Sequence, residues 1–209
     1  MPTNPLRLAV LVSGSGTTLQ NILDEIAAGR LNAHVELVVG SKPDLLGVQR
    51  AIDAMVPSSV VARKDYADVA TFAEAVWSQV DAAKVDLVCF AGWLCLLPIP
   101  PRYAGRVINI HPSLLPSFGG KGMYGQRVHE AVLNHGCKVS GCTVHFVDDQ
   151  YDNGPIVLQR ACDVRDDDTP QTLAARVFDQ EKVAYPQAIR LFGDGRISLD
   201  GRRVRVATG

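Results

Sequence analysis

The stretch Leu8-Ala9-Val10-Leu11-Val12-Ser13-Gly14-Ser15-Gly16-Thr17-Thr18-Leu19 predicts a strand, a glycine-rich loop and the first turn of a helix. Its first five residues are all apolar, which is typical of a strand buried on both faces of a parallel sheet. After the loop, apolar residues recur at helical spacing, at Leu19, Ile22, Leu23 and Ile26. A buried strand that passes through glycines into an amphipathic helix is the opening unit of an α/β fold.

The rest of the chain extends this pattern and then changes it. Further strands are predicted at 35–39, 60–62, 86–90 and 106–110, with helices over 49–55 and 69–80. Strands that alternate with helices indicate a mainly parallel sheet with helices on both faces. After about residue 138, strands at 143–147 and 156–160 flank Asp152-Asn153-Gly154-Pro155, which is typical of an antiparallel pair.

The last quarter of the chain predicts a long helix and a hairpin. Thr169-Pro170 begins the helix, which extends to about residue 192, because a Thr cap followed by Pro suits the unpaired amides of a first turn. The tail turns at Asp200-Gly201. No repeat or interdomain linker is evident. We therefore predict one Rossmann-like α/β domain over residues 1–209, with a mainly parallel mixed sheet and an antiparallel margin.

Composition narrows the class of protein. A formal net charge of -1 over 209 residues gives no electrostatic reason to expect binding to nucleic acid or an anionic membrane. No apolar run reaches the roughly 18 residues that a membrane span needs. The five cysteines form no CxxC pair, which favours a reducing cytoplasm. We expect a cytoplasmic monomer or homodimer that binds small molecules.

The glycine-rich loop predicts a site for a monophosphate, formed by Gly14, Ser15, Gly16, Thr17 and Thr18. Backbone amides and the helix dipole favour an anion at this helix N-terminus. A dinucleotide fingerprint would place Gly or Ala where Leu19 stands, and a Walker loop would need a lysine. The alternative is a plain turn with Thr17 or Thr18 as the helix cap.

Asn109 and His111 end a predicted buried strand, where open α/β sheets bind their ligands. Alternation along a strand places both side chains on the same face. Taken alone, a histidine before a proline is also common as a surface or hydrogen-bonded structural residue.

Five segments together resemble the folate-dependent formyltransferases. They are residues 10–20 (VLVSGSGTTLQ), 103–116 (YAGRVINIHPSLLP), 141–147 (GCTVHFV), 152–156 (DNGPI) and 180–186 (QEKVAYP). The resemblance spans nearly the whole chain. It implies transfer of the formyl group of the cosubstrate 10-formyltetrahydrofolate to the amine of glycinamide ribonucleotide in purine synthesis.

The resemblance also implies a catalytic set, which maps onto Asn109, His111 and Asp152, with His145 in a supporting position. Attack of an amine on the formyl carbon collects negative charge on the formyl oxygen, so donors are needed there. The amide of Asn109 and a protonated His111 supply them, and a nearby Asp152 favours the protonated ring. Without the resemblance, we would interpret Asp152 as an Asx-turn residue. We expect Asp166, Asp167 and Asp168 to form a solvated loop.

Binding residues are implied in the same way. The folate pocket maps onto two groups, Trp93, Leu94, Cys95, Leu96 and Leu97, and Val147, Asp148, Asp149 and Gln150. Many family members have a basic residue where Cys95 stands, so a charged contact is absent here. Glu181 matches a residue that holds ribose hydroxyls, and its alternative is an exposed helix acid. We interpret 117–126, rich in glycine, as a mobile lid.

Three alternatives remain beside this assignment. A formyltetrahydrofolate deformylase or a transfer-RNA formyltransferase looks alike around the three catalytic positions, but 209 residues leave no room for the extra domain usual in either. A non-catalytic nucleotide sensor would keep only the phosphate loop.

We predict no metal, because His135, Cys137, Cys142 and His145 fit no standard zinc spacing.

Overall fold

A computed structural model describes residues 4–207. The chain forms two compact units that divide between residues 109 and 110, inside the fifth strand. Because neither unit has the bounds of the predicted domain, the assignment of residues 1–209 to one domain stays a prediction. Within residues 4–207, no helix combines the length and the apolar character needed to cross a membrane.

The first unit is a parallel α/β unit. Its elements are β1 (Leu6–Val12), α1 (Thr17–Ala27), β2 (Ala33–Gly40), α2 (Leu46–Asp53), β3 (Ser58–Val60), α3 (Val69–Ala82), β4 (Leu87–Phe90) and β5 (Val107–His111), of which the last two residues fall in the second unit. The strands are ordered β3-β2-β1-β4-β5, and every pair among them is parallel. From Leu8 onward β1 is completely buried, as its unbroken apolar run predicts.

The second unit is built on an antiparallel pair. Its elements are α4 (Gln126–Asn134), β6 (Val139–Phe146), β7 (Ile156–Asp163), α5 (Pro170–Gly193), β8 (Ile197–Asp200) and β9 (Arg203–Val206). Strands β6 and β7 pair antiparallel, and β8 and β9 form a separate two-stranded sheet. Thr169 caps α5 in a reciprocal capping box with Thr172, and Pro170 occupies the first turn.

The predicted fold class is confirmed. Seven strands form one mixed sheet, mostly parallel with antiparallel pairing between β6 and β7. Two predicted elements are displaced: the strand expected at 60–62 lies at Ser58–Val60, and the helix expected over 49–55 lies at Leu46–Asp53. Helix α4 was not predicted, although Val128 and Val132 lie four residues apart on its buried face.

Asp168 corrects the prediction of a solvated acidic loop at 166–168. Its side chain is only 1% exposed and forms an ion pair of 2.6 Å with Arg176. It also accepts hydrogen bonds from the backbone N–H of Arg165 and the hydroxyl of Thr172. The hydrogen bond from Arg176 is the main reason that the pKa of Asp168 is lowered. Asp166, by contrast, is exposed as predicted.

We predict that Asp168→Asn lowers the free energy of unfolding near pH 7 by on the order of 2 kcal/mol, because Arg176 loses its buried partner. A carboxylate whose pKa is lowered by folding stabilises the protein above its unfolded pKa of about 4, and this stabilisation is lost as pH falls through the folded value. Urea unfolding should therefore show the two proteins converging below about pH 4. Exposed Asp166→Asn is the matched control, and equal effects of the two substitutions would contradict the assignment.

Candidate active site

His111 and Asp152 lie together in the second unit. Nδ1 of the His111 imidazole is 3.4 Å from Oδ2 of Asp152, and the two side chains are 5% and 12% exposed. His111 is the last residue of β5, and Asp152 lies in the connection between β6 and β7. The fold thus brings together two side chains that are far apart in sequence.

The other nitrogen of His111 contacts the backbone. Nε2 lies 2.9 Å from the carbonyl oxygen of Phe118. Since a carbonyl oxygen only accepts, Nε2 must carry the hydrogen in this bond. The ring therefore has an acceptor at each nitrogen, and a doubly protonated imidazolium is the form that donates to both.

A tight turn directs the Asp152 carboxylate inward. Asp152 has a φ of +53°, and Gly154 is so close to β6 that a Cβ atom there would overlap the carbonyl oxygen of Phe146. Oδ2 of Asp152 accepts a 2.9 Å hydrogen bond from the backbone N–H of Gly120. The Asx-turn role considered for Asp152 belongs to Asp148, whose Oδ1 accepts from the N–H of Gln150.

His145 completes the group of ionisable side chains around Asp152. Its Nε2 lies 3.9 Å from Oδ1 of Asp152, and its Nδ1 is 2.8 Å from the carbonyl oxygen of Phe146. Burial is the largest effect on the pKa of His145 and lowers it, whereas the carbonyl of Phe146 and the charge of Asp152 act in the opposite direction. The direction of the shift favours a neutral ring.

Asn109, the other predicted catalytic residue, is the last residue of the first unit. It lies on β5 two positions before His111 and is half-buried. Residues two apart on a strand share a face.

The glycine-rich loop leads into α1 without a side-chain cap. The N-cap is Gly16, with a φ of +72°, so the alternative in which Thr17 or Thr18 caps the helix is wrong. A Cβ atom at Gly16 would overlap Cα of Gly47, which shows that two glycines are needed where α1 approaches α2. The N-terminal amides of α1 receive no side-chain acceptor from the cap residue, as an anion site requires.

Arg50 of α2 supports this loop and was not singled out from the sequence. Its Nε donates to the carbonyl oxygen of Ser15 at 2.9 Å, and its Nη1 donates to Oε1 of Gln20 at 3.0 Å. The backbone N–H of Gly47 also donates to the carbonyl oxygen of Gly14. The loop is therefore fixed by α2, with a guanidinium group beside the predicted phosphate site.

Ser13 links the ends of three strands in the first unit. Its Oγ accepts hydrogen bonds from the hydroxyl of Ser41 at 2.8 Å and from the backbone N–H of Leu94 at 3.0 Å. Ser13, Ser41 and Leu94 follow β1, β2 and β4 respectively. The carboxyl edge of the parallel strands thus joins the predicted phosphate loop to the predicted folate loop.

The predicted folate loop combines apolar side chains with an unpaired backbone. Leu94 and Leu96 are exposed, at 44% and 37%, whereas Trp93 and Leu97 are buried. Among residues 4–207, no hydrogen bond is formed by the indole N–H of Trp93 or by the backbone groups of residues 95–97. Cys95 is half-buried, and burial raises the pKa of its thiol.

The second group of predicted folate residues forms the start of the β6–β7 connection. Val147 and Asp148 are half-buried, and Asp149 and Gln150 are exposed. Asp148 fixes this segment, because its Oδ2 also accepts a 2.8 Å hydrogen bond from Nδ2 of Asn153.

Glu181 is not the exposed helix acid that was the alternative for this position. It is half-buried on α5, and loss of hydration raises the pKa of its carboxyl group to about 7. Within the described part of the chain, its carboxylate has no hydrogen-bond or ion-pair partner. Its charge is a secondary reason, after burial, that the pKa of the Cys142 thiol is raised to about 12.

Two other features of the second unit were missed from the sequence. His129 of α4 is buried, and its Nδ1 has no partner among residues 4–207; burial, with a smaller effect of His111, lowers its pKa. The backbone contacts of Phe118 and Gly120 were missed because they depend on no side chain. The only sequence signal near His129 is the i, i+4 spacing of Val128 and Val132, which indicates a buried helix face beside it.

Comparison with known proteins identifies the family of the chain. A family model described as "Formyl transferase" matches residues 6–189. The chain belongs to the formyl transferase family. The structure is similar to that of glycinamide ribonucleotide transformylase 1 from Symbiobacterium toebii, with a TM-score of 0.90 and 42% sequence identity. The match covers 98% of this chain and 95% of that one.

Two groups of curated formyl transferase relatives differ in length. A phosphoribosylglycinamide formyltransferase of Haemophilus influenzae is 37% identical over 195 residues, covering 92% of this chain and 90% of that protein. The trifunctional purine biosynthetic protein adenosine-3 of Drosophila melanogaster is 40% identical over 193 residues, covering 90% of this chain. The match spans only 14% of that protein's length.

One structural neighbour belongs to the rival class considered above. A formyltetrahydrofolate deformylase from Pseudomonas syringae gives a TM-score of 0.85 at 23% identity, and the match covers 67% of its chain. At this identity the likeness establishes a shared fold. The choice between transferase and deformylase therefore depends on the site and on assay.

We predict that Glu181→Gln stabilises the protein at alkaline pH. A carboxyl whose pKa is raised to about 7 from about 4.3 contributes stability that is fully present below its unfolded pKa and is lost as pH rises through 7. At pH 8.5 the substitution should raise the free energy of unfolding by on the order of 2 kcal/mol, and near pH 4 it should have no effect. Urea unfolding across this range, with exposed Glu130→Gln as control, measures the difference. A pH-independent effect would mean that burial of the charge is not its cause.

Proposed function

We propose that this chain transfers the formyl group of 10-formyltetrahydrofolate to the primary amine of glycinamide ribonucleotide, a step of purine synthesis. The observation that carries the proposal is the 3.4 Å approach of His111 Nδ1 to Asp152 Oδ2 in a member of the formyl transferase family. Relatives named for this activity match most of the chain in sequence and in structure.

The chemistry requires a donor for an oxyanion and a carrier for one proton. The amine nitrogen attacks the formyl carbon, a C–N bond forms, and the carbonyl electron pair moves to oxygen. Asn109 and an imidazolium at His111 donate hydrogen bonds to that oxygen. As the carbonyl re-forms, the bond from carbon to the folate nitrogen breaks. The amine loses one proton, the folate nitrogen gains one, and Asp152 relays it.

No enzyme nucleophile is needed in this scheme. Ser113 lies close to His111 in sequence, but it is buried and its Oγ donates to the carbonyl oxygen of Ser117 at 2.6 Å. A hydroxyl held in this bond is not activated by a neighbouring base. Because the substrate amine attacks directly, a covalent acyl-enzyme is absent from the proposed path.

The folate, when bound, supplies the formyl carbon and the leaving nitrogen. We assign its pocket to Trp93, Leu94, Cys95, Leu96 and Leu97 and to Val147, Asp148, Asp149 and Gln150. Support comes from the backbone of 95–97, whose unused donors and acceptors suit a pterin ring with its own edge of donors and acceptors. Exposed apolar side chains at Leu94 and Leu96 provide a surface for the ring system.

The ribonucleotide is assigned to the phosphate loop and to Glu181. Gly14, Ser15, Gly16, Thr17 and Thr18 would hold the phosphate on uncapped amides, with Arg50 beside them. A half-buried carboxylate without a partner among residues 4–207, as at Glu181, suits the two hydroxyl donors of a ribose. His145 would support Asp152 as a neutral neighbour.

We further propose that residues 1–209 act as one formyltransferase domain, as a monomer or homodimer, in the cytoplasm. The family match from residue 6 to residue 189 includes both compact units. All five cysteines are free, as a reducing compartment would leave them.

Purified protein should consume 10-formyltetrahydrofolate only when glycinamide ribonucleotide is present. The reason is that the amine is the nucleophile, so no other group accepts the formyl carbon. The measurement is tetrahydrofolate release with and without the amine substrate. Release without it would favour a deformylase, and ribonucleotide binding without any turnover would favour a nucleotide sensor.

Replacement of either member of the buried pair should abolish most turnover. We expect His111→Ala and Asp152→Asn to lower kcat by about 10² to 10³, the usual effect of removing an oxyanion donor or its support. KM for the ribonucleotide should change little, because its phosphate and ribose are held elsewhere. Exposed His34→Ala and Asp167→Asn are the matched controls. Near-normal kcat in both site variants would refute the assigned roles.

A further inference from the structure

Residues 118–120, here called the backbone clip, contact both members of the His111–Asp152 pair without using a side chain. The carbonyl oxygen of Phe118 lies 2.9 Å from Nε2 of His111, and the N–H of Gly120 donates to Oδ2 of Asp152 at 2.9 Å. The carbonyl acceptor of Phe118 thus faces the imidazole, and the N–H donor of Gly120 faces the carboxylate. This polarity matches an imidazolium–carboxylate pair.

The two nitrogens of His111 differ in how firmly they are held. Nε2 is fixed as a donor by the carbonyl of Phe118 at an ordinary hydrogen-bond distance. Nδ1 lies 3.4 Å from Asp152, which is longer than the roughly 2.7–2.9 Å of a charge-assisted hydrogen bond. Nδ1 is therefore the nitrogen that can transfer its hydrogen bond to a third group at low cost.

We propose that Nδ1 of His111 is the atom that donates to the developing formyl oxyanion, and that the backbone clip positions the ring for it. This inference rests on the proposed transferase function and specifies its geometry. Nε2–H stays bonded to the carbonyl of Phe118 throughout. The N–H of Gly120 holds one oxygen of Asp152, so that the other oxygen is available for the proton that the amine releases.

The local structure shows why the clip reaches this position. Phe118 has a φ of +54°, a conformation that a non-glycine residue adopts at a cost. A Cβ atom on Gly119 would lie 2.6 Å from Cδ2 of Leu115 and 3.2 Å from Cβ of Asp152, so a larger residue there requires both neighbours to shift. The Phe118 ring meets the ring of His135 edge-on, at 5.8 Å and 77°.

Two substitutions of Phe118 separate its backbone role from its ring. Phe118→Val and Phe118→Asn both remove the contact with His135, but a β-branched residue disfavours a positive φ, whereas asparagine tolerates it. We expect Phe118→Val to lower kcat ten- to a hundredfold with KM for both substrates within twofold of wild type. Phe118→Asn should keep kcat within threefold. Equal kcat in the two variants would overturn the proposal.

The tautomer of His111 provides a test that needs no turnover. In the unliganded wild-type protein, ¹⁵N NMR should show the proton of the neutral His111 ring on Nε2, and Phe118→Val should give a mixture of tautomers. Gly119→Ala, which displaces the clip from Asp152, should give the same mixture if Phe118→Val does not fold. A neutral His111 ring with its single proton on Nδ1 in wild type would overturn the proposal. An Nε2 tautomer in a protein without transferase activity would contradict only the proposed function.

Discussion

The contact between His111 and Asp152 is the constraint on which the second unit depends. Burial of an acid and a base together is costly unless other groups complete their hydrogen bonds, since desolvation offsets much of the attraction. The carbonyl of Phe118 and the N–H of Gly120 provide those bonds. The need for these hydrogen bonds explains the unusual backbone nearby. The positive φ angles of Phe118 and Asp152 bring the backbone groups and the carboxylate within hydrogen-bonding distance.

In the first unit, hydrogen bonds between neighbouring loops and helices fix the candidate binding groups. Parallel strands end at one edge of a sheet, and Ser13 connects three of the segments that leave that edge. Arg50 and Gly47 then fix the glycine-rich loop from α2. The candidate binding groups here are mostly backbone amides and carbonyls, whose positions are set by the strands and helices that precede and follow them.

Loss of hydration acts on the ionisable groups in a consistent way. It raises the pKa of the Glu181 carboxyl and lowers that of the His145 imidazole, so each shift favours an uncharged form. Asp168 shows the opposite outcome although its side chain is only 1% exposed, because a close guanidinium compensates for the lost water. Burial thus favours the neutral carboxyl group at Glu181, whereas the ion pair with Arg176 preserves the charge of Asp168.

The sequence alone determined the order of most strands and helices, the capped start of α5 and the terminal hairpin, because apolar periodicity and turn residues are local signals. Its motifs also singled out His111 and Asp152, which the fold brings together. Only the tertiary structure decided the burial of Asp168, the position of Arg50 beside the loop and the approach of residues 118–120. These depend on contacts between distant segments, and several are made by backbone atoms, which are the same in every residue and leave no mark in the sequence.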